Sequence, residues 1–163
     1  MVKDGDILNP ICPRLKMIIG NYLGIISEAR RVGLPKKFLA ELGETPIIAK
    51  WYEDCLVIVK NDYLQSLIVK LTGGEGVKDL GFREIDRFIL GSSFELEPDE
   101  QGRIIVPESL ARYAGIEKEI VFVGLLDRVE IWKKEVWDEK SRVLSKTTKE
   151  YIENLSKNVK TKH

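Results

Sequence analysis

The chain has 163 residues, of which 44% are hydrophobic, so it can form one ordinary domain or two very small ones. Its 26 basic and 26 acidic side chains give a formal net charge of zero, which excludes a globally basic protein and requires any nucleic-acid-binding patch to be local. No apolar run reaches the length of about 18 residues that a membrane-spanning helix needs, so no membrane partner is expected.

The residue types that carry most enzyme chemistry are poorly placed in this sequence. Cys12 and Cys55 lie far apart without a CxxC motif, which indicates reduced thiols in the cytoplasm and no zinc site. The single histidine, His163, is the last residue, so a nucleophile–histidine pair would depend on the chain end. The glycine-rich "LTGGEG" lacks the GK[ST] ending of a phosphate-binding loop and predicts a turn between helices. We therefore expect no catalytic residues, no metal site and no cofactor.

The first part of the chain divides into an extension and a compact unit. Acids and prolines interrupt residues 1–16, which predicts a flexible extension rather than a signal peptide. Residues 17–60, the first unit, read as a strand "YLGIIS", a turn, a strand "RVGLP", a short helix "KKFLAEL", and two strands "PIIAKW" and "CLVIVK". Residues 61–93 then predict a helical linker, with "DYLQSLIVKL" and "FREIDRFIL" as its two helices.

Residues 94–137, the second unit, repeat the pattern of the first. Their order is "FELEPD", a turn, "RIIVP", the short helix "ESLARYA", and the strands "EIVFVG" and "RVEIW". The spacing from Arg31 through Pro35 to Gly43 recurs from Arg103 through Pro107 to Gly115, which indicates one supersecondary unit used twice.

A unit of this size cannot bury a sufficient core alone, so the two copies, or copies from different chains, are expected to intertwine their strands. Residues 138–163 are polar and lysine-rich, and they predict a tail that is either helical or disordered.

The repeated arginine has a structural and a functional interpretation. Asp99 and Arg103 lie four residues apart across a tight turn at Gly102, where they could form a surface ion pair of little energetic value. The carboxylate could instead stiffen the turn and orient the guanidinium outward. Ser27 stands at the place of Asp99 in the first unit while Arg31 persists, which weakens the ion-pair interpretation without excluding it.

The first unit is also locally basic, with Arg30, Arg31, Lys36 and Lys37 close to the predicted helix start. Arginine suits both phosphate and the guanine edge, so these side chains are candidate DNA contacts.

Three features of the second unit carry a family resemblance. They are the Asp-x-x-x-Arg phrase in "DEQGRIIVP", the "AGIEKE" turn, and "VG…DRVEIW" followed by a tryptophan five residues on. Together they resemble the MraZ family of small bacterial regulators, which are built from two AbrB-like modules. The resemblance covers roughly residues 17–137 and is weaker in the first unit.

The resemblance implies an α+β, mainly β fold in which two pseudo-repeated AbrB-like modules form an intertwined, swapped-hairpin β-barrel with short helices. It also implies ring-like homo-oligomers that bind double-stranded DNA at promoter direct repeats near the cell-division and cell-wall genes. Such a protein would be cytoplasmic and nucleoid-associated. The alternative is an AbrB-like interaction module, an antitoxin or scaffold, for which DNA binding is secondary.

Carried over by position, Arg31 and Arg103 are the implied DNA contacts, and Asp99 and Ser27 take the place of the supporting acid. Ser27 stands where the family pattern has aspartate, and Arg30 stands where it has glycine before the arginine. These replacements raise the expectation that the first turn differs from the second.

Overall fold

The computed structural model describes residues 17–73 and 80–160, which contain eight strands and five α-helices. The strands are β1 (Ile18–Ile25), β2 (Arg31–Gly33), β3 (Ile47–Trp51), β4 (Cys55–Val59), β5 (Phe94–Glu95), β6 (Arg103–Ile105), β7 (Glu119–Leu126) and β8 (Val129–Lys133). The helices are α1 (Lys36–Leu42), α2 (Leu64–Thr72), α3 (Leu80–Ile89), α4 (Glu108–Tyr113) and α5 (Lys134–Lys160). The predictions for residues 1–16, and those for His163, lie outside the described residues.

The strands of the two units interleave in one antiparallel sheet. Its order is β1-β7-β8-β4-β3-β5, and β2 pairs with β6 in a separate ladder. When each strand is exchanged for its counterpart in the other unit, β1 for β5, β3 for β7 and β4 for β8, the order reads the same from the opposite end. The two units are therefore related by an approximate twofold axis, and the first strand of each pairs with a strand of the other.

Alternating burial along the strands creates a separate core on each face of the sheet. Ile48 and Ile58 point into the first core, together with Ile120 and Phe122, and α1 and α4 contribute Phe38, Leu42, Leu110 and Ala111 to it. Their sequence neighbours point into the second core, where Leu64, Leu67, Ile68, Ile85 and Ile89 of α2 and α3 cover Ala49, Trp51, Val57, Val121, Val123 and Trp132. The β2–β6 ladder contributes Val32 and Ile104 to the first core, which fixes its position beside the sheet.

The two short helices have the boundaries that their proline and glycine predict. Pro35 precedes α1 and Pro107 precedes α4, where a missing N–H is tolerated. Gly43 follows α1 at φ 82° and Gly115 comes just after α4 at φ 62°, a backbone conformation that favours glycine. Helices of this length are marginal alone, so their stability comes from the first core.

The two units differ most in the length of their first strand and in the helix that follows their last strand. β1 runs for eight residues along β7, whereas β5 has only two. Upstream of β5 the chain instead forms α3 and a 3-10 turn, where the Ser92 hydroxyl accepts a hydrogen bond from the Lys50 N–H at 3.0 Å. The predicted tail is helical as far as Lys160, because α5 is continuous over 27 residues.

The predicted mixture of helices and strands is confirmed, and the strands form a large antiparallel sheet. The fold is not mainly β, because the described helices, with 27 residues in α5, contain more residues than the strands. Among the described residues the sheet has two ends, β1 and β5, and no ladder joins them, so the strand order is that of an open sheet. The closed, swapped-hairpin barrel that the resemblance implies remains a prediction.

Candidate nucleic-acid interface

The second arginine turn is organised around the Asp99 carboxylate. Its Oδ1 accepts hydrogen bonds from the backbone N–H groups of Gln101 at 3.0 Å and Arg103 at 2.9 Å. Its Oδ2 accepts one from Nε of Arg103 at 2.8 Å. The Arg103 N–H, followed by the Arg103 side chain and the Gln101 N–H, holds the pKa of Asp99 below its ordinary value, against partial desolvation. One carboxylate thus closes the turn and aims the guanidinium.

The first turn has the same backbone despite its different residues. The Arg30 N–H donates to the Ser27 carbonyl at 2.9 Å, as the Gly102 N–H donates to that of Asp99 at 2.9 Å. Arg30 has φ 58° and Gly102 has φ 75°, so the arginine adopts the conformation of the glycine that it replaces. The expected difference between the turns is therefore absent from the backbone.

The side chains of the two turns do differ. The Ser27 hydroxyl accepts only the backbone N–H of Arg31, at 3.2 Å. Within the part of the chain that the structure describes, no hydrogen bond or ion pair holds the Arg31 guanidinium. Arg31 is therefore exposed and free to reorient, whereas Arg103 is tethered to Asp99.

Strand pairing places both arginines on one face. β2 pairs antiparallel with β6, with Arg31 opposite Ile105 and Gly33 opposite Arg103. Because side chains alternate along a strand, these four residues share a face, and Val32 and Ile104 point into the core. Arg31 and Arg103 are diagonal neighbours, a relation that corresponds to about 7–8 Å across an antiparallel pair. We call this exposed surface of Arg31, Gly33, Arg103 and Ile105 the arginine face.

The remaining candidate residues border this face. Arg30 is half-buried, and its Nε donates to the Val106 carbonyl at 3.0 Å, while its own carbonyl accepts the Val106 N–H at 2.9 Å. The Leu34 N–H makes the equivalent backbone bond to the Gly102 carbonyl at 3.0 Å. Lys36 is exposed at the first position of α1, a helix with no acidic residue in its first turn. Arg30 thus ties the two units together as well as contributing charge.

Comparison with known proteins identifies relatives of this chain. The family described as "MraZ protein, putative antitoxin-like" matches residues 89–156. The transcriptional regulator MraZ of Caldanaerobacter subterraneus subsp. tengcongensis is 39% identical over 140 residues, which cover 85% of this chain and 96% of that protein. The chain belongs to the MraZ family.

Two further relatives carry the same name. The MraZ regulator of Thermoanaerobacter sp. X514 is 39% identical over 85% of this chain and 96% of its own length. That of Lachnoclostridium phytofermentans is 36% identical over 77% of this chain and 87% of its own length. The family match at residues 89–156 contains Arg103 but not Arg31, so the second unit carries the stronger MraZ signal.

Sequence reasoning found the arginines but missed three residues beside them. Ile105 and Gly33 complete the arginine face only through the pairing of β2 with β6, which no local pattern reveals. Leu39 of α1 packs close to the second turn, because a Cβ at Gly102 would lie 3.1 Å from its Cδ2. In the sequence, only the matched spacing of the two units indicated that α1 of the first unit could contact the turn of the second.

Other kinds of site receive no support within residues 17–73 and 80–160. No group of three metal-ligating side chains occurs there, and none of the helices there is long and apolar enough to cross a membrane. Cys55 is free and buried in the second core, and burial raises the pKa of its thiol, so it is held protonated at neutral pH.

Proposed function

We propose that this chain is a sequence-specific DNA-binding transcriptional regulator without catalytic activity. It would use the arginine face to bind double-stranded DNA at promoter direct repeats, with Arg30 and Lys36 at the border of the contact. The observation that carries the proposal is that Arg31 and Arg103, from the two units, lie diagonally on one exposed ladder. Membership of a family of named transcriptional regulators supports it.

The hydrogen bonding of Arg103 suits recognition of a base edge. Only its Nε is bonded to Asp99, so both terminal nitrogens remain available for a bidentate contact with O6 and N7 of guanine. Its side chain is 41% exposed, which leaves it accessible. Because Asp99 already orients the guanidinium, less side-chain freedom is lost on binding. In this proposal Asp99, Ser27 and Gly102 position the turns, and the arginines contact DNA.

The distance between the arginines suits neighbouring positions on a duplex. A diagonal separation of about 7–8 Å corresponds to about two base-pair steps of 3.4 Å. One protomer would then contact a short element, which provides little affinity alone. A homo-oligomer that presents several arginine faces to spaced repeats would add such contacts through avidity.

The same proposal includes the swapped-hairpin arrangement, the ring-like oligomer and the cellular location. The interleaving of β1 with β7 and of β5 with β3 supports an intertwined arrangement of the swapped-hairpin kind. Ring-like self-association and a cytoplasmic, nucleoid-associated location would follow from binding at repeated promoter sites. Short direct repeats upstream of the gene, spaced by about one helical turn, would be the matching DNA feature.

A gel-shift titration on the DNA upstream of the gene tests the proposal. We expect Arg31→Ala/Arg103→Ala to weaken binding by at least about 1–3 kcal/mol for each arginine removed, and to lower the dependence of affinity on salt. Arg87→Ala/Arg142→Ala is the matched control, because it removes two exposed arginines elsewhere and should bind as the wild type does. Equal affinity and salt dependence for the two double variants would refute the assignment.

The second candidate is an interaction module, an antitoxin or scaffold, and α5 is the feature that favours it. Its exposed apolar side chains include Tyr151, Ile152 and Leu155, which are unusual on a solvated helix. Removing residues 138–163 separates the two candidates. Loss of a protein partner with DNA affinity unchanged would favour the scaffold, and a fall in DNA affinity without loss of a protein partner would favour regulation.

A further inference from the structure

One end of the main sheet exposes an apolar surface. Ile19, Leu23 and Ile25 point to the same side of β1, and Leu125 lies beside them because it pairs with Ile19. Leu23 is 58% exposed although its partner Val121 is buried in the second core. β1 contains no charged residue and is an edge strand of eight residues, which is a surface that proteins normally protect. We call Ile19, Leu23, Ile25 and Leu125 the β1 face.

The opposite end of the same sheet shows what covers such a surface. There, Ile85 and Ile89 of α3 pack against Ala49 and Trp51 in the second core. The approximate twofold axis relates this end to the β1 face, because β3 and β7 are counterpart strands. Within the described residues no helix takes the place of α3 at the β1 end. The segment that precedes β1, as α3 precedes β5, lies outside the described residues. By analogy with α3, the cover of the β1 face is expected to be an apolar helix.

Helix α5 carries a matching apolar stripe. Leu144, Tyr151 and Leu155 follow Trp137 at helical spacing, and Ile152 flanks them. Trp137 packs against the second core, so the stripe continues a side of the helix that is already docked. Beyond that docked turn the stripe is bordered by uncharged residues, and the charges lie on the other side of the helix: Arg142, Lys146, Lys149, Glu150, Glu153 and Lys157. We call Leu144, Tyr151, Ile152 and Leu155 the α5 stripe.

The α5 stripe does not reach the β1 face of its own chain. Leu155 is 66% exposed in the same structure in which Leu23 is 58% exposed. The helix contains neither proline nor glycine, so it has no kink at which it could fold back. With 27 residues it extends about 40 Å. The α5 stripe is apolar, and the β1 face is interrupted only by Asn21 between Ile19 and Leu23 and bordered by Glu119, which pairs with Ile25. Among the described residues neither surface is covered.

We propose that the α5 stripe of one protomer docks on the β1 face of a second copy. The two surfaces are different, so the contact is heterologous, and repeating it produces a closed ring or an open filament. The occupant of the β1 face is thus a helix, as at the opposite end of the sheet, but it comes from a neighbouring chain. This inference rests on the proposed function in that it locates the self-interface of the proposed DNA-binding oligomer.

Two single-surface variants, measured without DNA, test the proposal. Ile152→Lys/Leu155→Lys disables the α5 stripe, and Leu23→Lys disables the β1 face. Light scattering after size exclusion should give several protomers for the wild type and one for each variant. Val143→Lys is the matched control, because Val143 is exposed on the same helix beside the stripe, and it should keep the wild-type mass. Circular dichroism checks that every variant is folded.

An equimolar mixture of the two variants distinguishes a heterologous contact from a symmetric one. The intact stripe of the strand variant can dock on the intact face of the helix variant, and the free ends of that pair are both disabled. We expect a two-protomer mass and nothing larger. A monomeric wild type, an unchanged mass for the helix variant, or loss of assembly in the helix variant alone would each overturn the proposal. The last outcome would indicate helix–helix pairing.

Failure of this proposal can be told apart from failure of DNA binding. Arg31→Ala/Arg103→Ala leaves the α5 stripe and the β1 face intact, so it should keep the wild-type mass. A wild-type oligomer that does not bind the upstream DNA would refute the proposed function only. A monomer that still binds it would refute this interface only.

Discussion

Arg30 provides a sharp test of the turn geometry, because its φ of 58° lies in a region that side chains avoid. A residue with a Cβ costs about 1–2 kcal/mol there, and glycine avoids that cost. Glycine also raises the entropy of the unfolded chain, which offsets about 0.4–1 kcal/mol. Arg30→Gly and Arg30→Ala both remove the hydrogen bond from Nε to Val106. Arg30→Gly should therefore be the more stable variant, by about 0.5–1 kcal/mol.

Urea denaturation at one fixed protein concentration measures this difference. With a slope of about 2 kcal/mol per molar urea, the two midpoints should differ by about 0.3–0.5 M. Lys37 is the control, because it is exposed in the first turn of α1. There the order should reverse, with Lys37→Gly below Lys37→Ala by up to about 1 kcal/mol. If Arg30→Ala equals or exceeds Arg30→Gly while the Lys37 pair behaves normally, the strain at Arg30 is refuted.

Two further predictions concern packing and pH. Gly124→Ala should lower the free energy of unfolding by about 1–3 kcal/mol, because its Cβ would lie 2.8 Å from the backbone of Ile18. Gly91→Ala, whose Cβ would meet nothing within 4 Å, should be near neutral, and urea denaturation measures both variants. Asp99 has a lowered pKa, so its stabilisation is complete above the unfolded pKa of about 3.9 and is lost as the pH falls through the lower folded pKa. Urea titrations should therefore show Asp99→Asn losing less stability than the wild type between pH 5 and pH 3, and an equal loss would contradict the pKa shift.

Local sequence signals predicted the repeated elements well, because proline, glycine and alternating apolar residues act within one segment. They therefore located α1 between Pro35 and Gly43, with matching strands on either side. The pairing of β1 with β7 was not predictable, since a strand pattern does not specify its neighbour. The arginine face depends on that kind of information, because Ile105 joins Arg31 only through the β2–β6 register.

The side chain of Arg30 shows a second limit of sequence reasoning. Its charge and position made it a candidate DNA contact, and that role remains a prediction. The structure adds that its Nε bonds to the Val106 carbonyl and that its backbone takes the conformation of Gly102. A one-dimensional pattern shows that glycine was replaced, but only the fold shows that the turn is retained with a strained residue.

The duplicated unit therefore offers two unequal arginines on one ladder. Arg103 is held by Asp99 at 2.8 Å, so a base contact from it loses little side-chain freedom. Within residues 17–73 and 80–160 the Arg31 side chain has no such support, since the Ser27 hydroxyl bonds only to the backbone N–H of Arg31, at 3.2 Å. Ordering a long side chain costs up to about 2 kcal/mol, which reduces the affinity that Arg31 can contribute. If the face binds DNA as proposed, the second unit would specify the base, and the first would add a more adaptable contact about two base-pair steps away.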